Sequence, residues 1–160
     1  MRPMRRKDRQ RDEAFSLALI DGCTHGVMAV NTGEDTPYCL PLSFVRDGRS
    51  LYFHGAKEGR KADLLRQAPR VCITFVGRDD PTYVTESNNY TTMFASAIVT
   101  GTAVEVTDEG EKIAALRLLC QKVLPHAMTG DNFQRAVAAS LPATALWRID
   151  MDHISGKAKG

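Results

Sequence analysis

The sequence predicts a mainly β (α+β) fold, a small closed or half-open antiparallel barrel of six strands with helices at its periphery. Three observations predict it. Six segments have β character, at residues 25–31, 38–46, 49–54, 70–76, 90–106 and 143–152. The second and third flank Asp47-Gly48, which supplies the two positive-φ positions of a type I′ hairpin turn. No crossover helix fits between those two strands, which excludes a doubly wound parallel sheet. At 160 residues, 43% hydrophobic and 25% charged, the chain has the size and composition of one ordinary globular domain.

The elements follow in order. Ala14, Phe15, Ala18 and Leu19 recur at helical spacing and Gly22 follows, so a first helix is expected over residues 8–21. Residues 58–67 read as a short helix with Leu64 and Leu65 inward and Pro69 after its end. Residues 77–89 are polar and rich in turn formers, which predicts a mobile loop. In the long strand after it, Gly101 marks a bulge or bend. Asp108 with Glu111 is a capping-box-like start for a helix whose stripe Ile113, Leu116, Cys120, Val123 stops at Pro125. A further helix over residues 131–140 precedes the last strand. The expected organisation is a basic arm over residues 1–11, one domain over 12–156 and a tail over 157–160.

Charge and cysteines narrow the function classes. The formal charge of +2 is local: residues 1–13 hold six cations (Arg2, Arg5, Arg6, Lys7, Arg9, Arg11) against three acids. The remaining 147 residues therefore carry −1, which disfavours a nucleic-acid protein with a basic face across its fold. No secretory leader and no run of about 18 apolar residues is evident, so a protein that does not cross a membrane is expected. Cys23, Cys39, Cys72 and Cys120 are far apart, form no Cys-x-x-Cys pair and lack histidines at ligand spacing. Reduced thiols in the cytoplasm are the expectation, with no metal.

The most informative stretch is residues 51–61, LYFHGAKEGRK, where a strand ends and a helix begins within a few residues. Lys57, Arg60 and Lys61 crowd the start of that helix, where the macrodipole disfavours each cation by about 0.3–1 kcal/mol. The helix after Asp108 obeys the rule, with Asp108, Glu109 and Glu111 in that position. Two readings stand. Either an anion such as a phosphate is held at residues 55–61 by backbone N–H groups and side chains, or the cations point into water. The spacing is neither a Walker A loop nor a dinucleotide fingerprint. His54 lies on the strand face opposite Leu51 and Phe53, toward the anion region or a cleft, where an imidazole titrates near neutrality. Pro37 and Pro41 mark an edge or irregular strand, whose unpaired backbone groups could bond a planar heterocycle or simply protect the edge. Thr92 and Ser96 share a strand face, either lining a groove or facing solvent.

In the order of these features the chain resembles the FMN-binding split-barrel superfamily related to pyridoxamine 5′-phosphate oxidase, and within it the nitroimidazole-resistance (Nim) family. The resemblance rests on MRRKDR near the start, Pro37-Tyr38 with Pro41-Leu42-Ser43-Phe44, Leu51-Tyr52-Phe53-His54-Gly55-Ala56 with Gly59 and Lys61, Thr91-Thr92, Ser96, Gly101-Thr102-Ala103, Glu111-Lys112 and Leu116. It implies a homodimer of six-stranded split barrels with FMN in the cleft between protomers. His54, Gly55, Ala56, Gly59 and Lys61 would surround the phosphate, Pro41, Leu42, Ser43 and Phe44 would lie beside the flavin ring, and Thr92 and Ser96 would add polar contacts. It further implies reduction of nitro or similar electrophilic small molecules, with His54 catalytic. A non-catalytic split barrel holding haem, a deazaflavin or a small metabolite is the alternative. The ending lacks the arginine-rich tail by which pyridoxamine phosphate oxidases hold their substrate, so that activity is not expected.

Overall fold

The structure is a computed structural model that describes residues 3–160, so Arg2 of the basic arm lies outside the described residues. Eight strands form one antiparallel sheet: β1 (Gln10–Arg11), β2 (Gly26–Val30), β3 (Tyr38–Leu42), β4 (Val45–Asp47), β5 (Ser50–Ala56), β6 (Arg70–Val84), β7 (Asn89–Glu105) and β8 (Thr144–Lys159). Four α-helices accompany them: α1 (Glu13–Gly22), α2 (Arg60–Gln67), α3 (Glu109–Val123) and α4 (Asn132–Ser140).

The strand order is β3-β2-β6-β7-β8-β5-β4, with β1 added beside β8. The two outermost strands of that path, β3 and β4, are separated in sequence by Ser43 and Phe44 alone. Two residues span only about 7–10 Å, so the sheet must curl until its edges come together. The edges stay unpaired, which leaves an open, split barrel in an α+β fold. The single strand expected over residues 38–46 is thus two strands on opposite edges, and Phe44 is the hinge between them. Its ring is buried and packs edge-on against Phe53 at 5.5 Å and Phe75 at 5.6 Å. Such contacts add about 0.5–1.5 kcal/mol each to the burial itself.

The interior is filled by the inward-facing alternate residues Met28, Val30, Leu51, Phe53, Ile73, Phe75, Val99, Trp147 and Ile149. A smaller cluster lies outside the barrel wall, where Val45, Tyr52, Val106 and Leu146 meet Ala115 and Leu119 of α3. A hairpin forms here, but Asp47 pairs with Ser50, so its loop is Gly48-Arg49 rather than Asp47-Gly48, and of the two positive-φ positions expected only Gly48 has one, at 56°.

Several boundaries differ from expectation. The first helix starts at Glu13 because Asp12 caps it, its carboxylate accepting from the Phe15 N–H at 2.8 Å. Residues 7–9 form a 3-10 turn, and Gln10 and Arg11 pair with Lys157 and Gly156. The last strand runs on through Lys159, with Ala158 buried, so regular structure extends into both the arm and the tail. Residues 77–89 are not a mobile loop. β6 continues to Val84, a 3-10 turn spans Thr85–Ser87, Asn88 takes the left-handed conformation at φ 46°, and β7 returns from Asn89. Ladder pairs from Arg78 with Ala95 to Val84 with Asn89 hold this segment extended, with β8 alongside β7 as far as Phe94. Alternation of apolar residues signals a strand only where one face is buried, and no residue from 77 to 89 is buried.

Candidate anion and flavin site at the end of β5

β5 lies between β4 and β8, which fixes its pleat: Leu51 and Phe53 face the core, while Tyr52 and His54 face the other way. Tyr52 is buried beneath α3, and its hydroxyl donates to Glu111 Oε1 at 3.1 Å. Burial, then the Glu111 carboxylate, pushes the phenol pKa up. Arg148 Nη1 donates to the same oxygen at 2.7 Å, so the lower half of this wall is locked.

The next outward residue, His54, borders a cavity of about 250 Å³ between α3 and α4, lined also by Leu116, Cys120, Phe133, Val137 and Thr144. The ring keeps an open side to solvent. Nevertheless the atoms crowded round it, and secondly the charge of Lys61, hold its pKa below the usual 6.5. His54 is therefore mainly neutral at pH 7.

At Gly55 the strand brings its backbone against a side chain from α2: a Cβ there would collide with the Lys61 amine. The same amine stands 5.4 Å from the centre of the Phe53 ring. Desolvation pushes the Lys61 pKa down. Among the described residues this half-buried ammonium has neither a carboxylate within salt-bridge range nor a hydrogen-bond acceptor. α2 begins after Gly59, whose φ of 109° only glycine adopts easily, and no side chain caps it. Its first amides therefore point out unsatisfied beside an unpaired cation, the arrangement that binds a phosphate.

Two neighbouring arginines are otherwise engaged, while the Lys57 side chain is exposed. Arg60 stacks on the Tyr38 ring at 4.8 Å, and Arg66 donates to both carboxylate oxygens of Glu105 at 2.9 and 3.0 Å and to the Lys57 carbonyl. Of the three cations in this cluster, Lys57 points into water and Arg60 is engaged with Tyr38, while Lys61 is the one packed against the strand end.

Of the residues singled out from the sequence, Gly55, Gly59 and Lys61 converge, with Ala56 on the connecting backbone. Phe44 reaches them through Phe53, while Pro41 and Ser43 lie exposed along the neighbouring edge with Leu42 partly buried between them. His54 is adjacent but opens on the opposite side of the wall from Lys61. Thr92 and Ser96 are not brought in. Trp147 pairs with both Phe53 and Glu105, so Glu105 marks the level of the site on β7. Ser96 is then about 30 Å and Thr92 about 40 Å away along the strand at ~3.3 Å per residue. Sequence reasoning missed Tyr38 and Phe53 as the aromatic supports of the two cations. Their spacing from Arg60 and Lys61 carries no local signal, because the contacts are made between separate elements.

A family model described as pyridoxamine 5′-phosphate oxidase matches residues 12–158. The chain belongs to that family. Among solved structures, it is similar to a candidate 5-nitroimidazole antibiotic resistance protein from Bacteroides thetaiotaomicron, with 22% identity, a TM-score of 0.78 and 92% of this chain and 84% of that one covered. The flavocytochrome Anf3 from Azotobacter vinelandii matches with 22% identity and a TM-score of 0.81 over 99% of this chain and 72% of that one. An FAD and haem binding protein from Mycobacterium smegmatis gives 20% identity and a TM-score of 0.76, covering 95% and 74%. At such identities these likenesses establish the family's fold. A search of curated proteins returned no match. No helix among the described residues is long and apolar enough to cross a membrane.

Proposed function

We propose that this chain is a cytoplasmic, homodimeric FMN-dependent oxidoreductase that reduces nitro or similar electrophilic small molecules. The observation that carries the reading is the unpaired Lys61 ammonium, packed on Gly55 beside the uncapped start of α2. A flavin phosphate fits this donor set. Lys61 would hold it by a charge-assisted bond together with the first amides of α2, and the edge at Pro41, Leu42, Ser43 and Phe44 would border the ring. The families of the similar structures, one of nitroimidazole resistance and two of flavin or haem binding by their descriptions, support the same reading.

When bound, the flavin would supply the electrons for the reduction. The protein's share is binding, orientation and proton placement. His54, neutral at pH 7, donates one ring N–H to a nitro oxygen and so orients the substrate at the mouth of the 250 Å³ cavity. That volume falls below the ~300–1,000 Å³ of sites for larger ligands, which favours a small planar substrate over haem on this side of β5.

The test is the absorption spectrum of the purified protein, followed by FMN titration and turnover of a 5-nitroimidazole with NADH or NADPH. Flavin bands, saturable FMN binding and His54→Ala turnover reduced about 10²-fold or more at unchanged FMN affinity are expected. A Soret band, or a colourless protein whose melting temperature ignores FMN, would overturn the assignment.

A further inference from the structure

Residues 3–11 of the basic arm lie against the sheet. Asp8, in the 3-10 turn over Lys7–Arg9, accepts from Arg6 through both carboxylate oxygens at 2.8 and 2.5 Å, and Gln10 and Arg11 add β1 to the edge of β8. On this edge of β8 the pairing with β5 ends at Asp150 opposite Ser50, and the pairing with β1 begins at Gly156 opposite Arg11. Between those two pairs β8 runs for about 20 Å at ~3.3 Å per residue with no strand beside it. One bond crosses there, from the Met151 N–H to the Arg49 carbonyl at 3.1 Å.

The gap holds a cavity of about 380 Å³, walled by His153, Ile154 and Ser155 of β8 and by Met4, Lys7 and Arg11 of the arm. Its lining carries the cations Lys7 and Arg11 and no carboxylate. The acids nearby are taken. Asp8 holds Arg6, Asp152 accepts from Arg70 and Thr100, Glu13 pairs with Arg49, and Asp12 caps α1. Among the described residues Lys7 therefore has no carboxylate in salt-bridge range. Arg11 donates through Nη1 alone, to the Asp8 and Gln10 carbonyls at 3.4 and 3.2 Å, which holds the guanidinium in place and leaves its other N–H groups free.

Two like charges facing one cavity repel, and a ligand of opposite sign removes that cost. The same walls are apolar at Pro3, Met4 and Ile154. Apolar walls with a few convergent polar groups are the make-up of small-molecule sites, and the volume falls within their range of ~300–1,000 Å³.

We infer that this cavity binds a small organic anion, an apolar body that carries one phosphate or carboxylate group. The anionic group lies between Lys7 and Arg11, with the Ser155 hydroxyl as a further donor, and the body packs on Met4 and Ile154. The site is separate from the one at Lys61. Trp147, opposite Phe53, marks the Lys61 level on β8, and His153 lies six residues further on, or about 20 Å. One phosphate cannot serve both, so the inference stands apart from the flavin reading.

The test titrates the full-length, isotopically labelled protein with phenyl phosphate and follows its amide resonances. Saturable shifts are expected in residues 4–11 and 153–156. The Lys7→Gln/Arg11→Gln variant should bind at least about tenfold more weakly, with FMN affinity unchanged, and Lys61→Met should alter phenyl phosphate affinity at residues 153–156 less than about twofold. Benzyl alcohol, which has the ring without the charge, should also bind at least about tenfold more weakly. Benzoate in the same titration identifies the anionic group: tighter binding than phenyl phosphate assigns a carboxylate, weaker binding a phosphate ester. Shifts confined to residues 54–66, or no saturable shift at tens of millimolar, overturn the inference, as does a double variant that binds like the unaltered chain. Equal binding of benzyl alcohol overturns the anion recognition. One readout needs no variant: the Arg11 Nε–H resonance should move with the ligand, and a fixed one overturns the assignment.

Discussion

Replacing Gly55 with alanine separates the stability of the fold from the chemistry of the site. Gly55 sits in extended strand backbone that alanine adopts freely, and in a strand interior alanine gains about 0.5–1 kcal/mol over glycine. The added Cβ meets the Lys61 amine and displaces it from the Phe53 ring, which loses a cation–π contact of about 0.5–1 kcal/mol. The two nearly cancel, so the urea midpoint should stay within the equivalent of about 1 kcal/mol. Binding is another matter. A charge-assisted bond to phosphate contributes about 1.5–3 kcal/mol, so moving the amine weakens FMN affinity roughly 10- to 150-fold. Flavin fluorescence titration measures it, with riboflavin as the control because it lacks the phosphate: its affinity should change less than about twofold. Lys61→Met removes the same contact, so the two effects should not add in the double variant. A Gly55→Ala protein that keeps FMN affinity within about threefold, or a double variant whose losses add, refutes the cradle.

Three further outcomes are expected. Phe44→Ala empties the hinge between the two sheet edges and should cost about 3–5 kcal/mol in urea unfolding; a loss under 1 kcal/mol would mean that Phe44 does not hold the edges together. Gly101→Ala drives a Cβ to 2.5 Å from the Asp150 carbonyl at the β7–β8 irregularity, with an expected loss of about 1–3 kcal/mol, and an unchanged melting temperature would deny that close approach. His54 has a folded pKa below its unfolded 6.5, so the stability tied to its neutral form is present above pH 6.5 and lost as pH falls through the folded value. Flavin phosphate neutralising Lys61 should raise that pKa toward 6.5, which histidine ring NMR reads directly, and an unmoved titration would remove the coupling between the two groups.

The sequence told most where a residue has one buried side or one backbone demand. The hairpin after Asp47, displaced by one residue to Gly48-Arg49, the cap at Asp108 and the stop at Pro125 are local signals, and the last two stand where expected. Their information is carried by φ preferences and capping bonds within three or four residues. The β6–β7 hairpin failed for the converse reason: its strand character comes from ladder bonds to a partner, while its composition is that of a loop. The division of residues 38–46 into two edges was equally hidden, because Phe44 is set by the Phe53 and Phe75 rings, residues distant in sequence. In the site, the charge conflict at α2 was legible as an electrostatic anomaly. Which of the three cations packs against the strand end was not, since that depends on Tyr38 beneath Arg60 and Phe53 beneath Lys61, contacts between separate elements.

The placement of His54 and Lys61 on opposite faces of one strand end constrains the chemistry more than either residue does alone. Neighbouring residues on a strand cannot both point into one cavity, so a phosphate gripped by Lys61 and a substrate touched by His54 approach β5 from different sides. They remain coupled all the same, because the Lys61 charge already lowers the His54 pKa through the strand. An anion at Lys61 therefore does two things: it stabilises its own binding, and by cancelling that charge it makes the imidazolium more accessible. On the proposed reading, a cofactor phosphate on one side of the wall would favour a protonated His54 on the other, without any movement of the backbone between them.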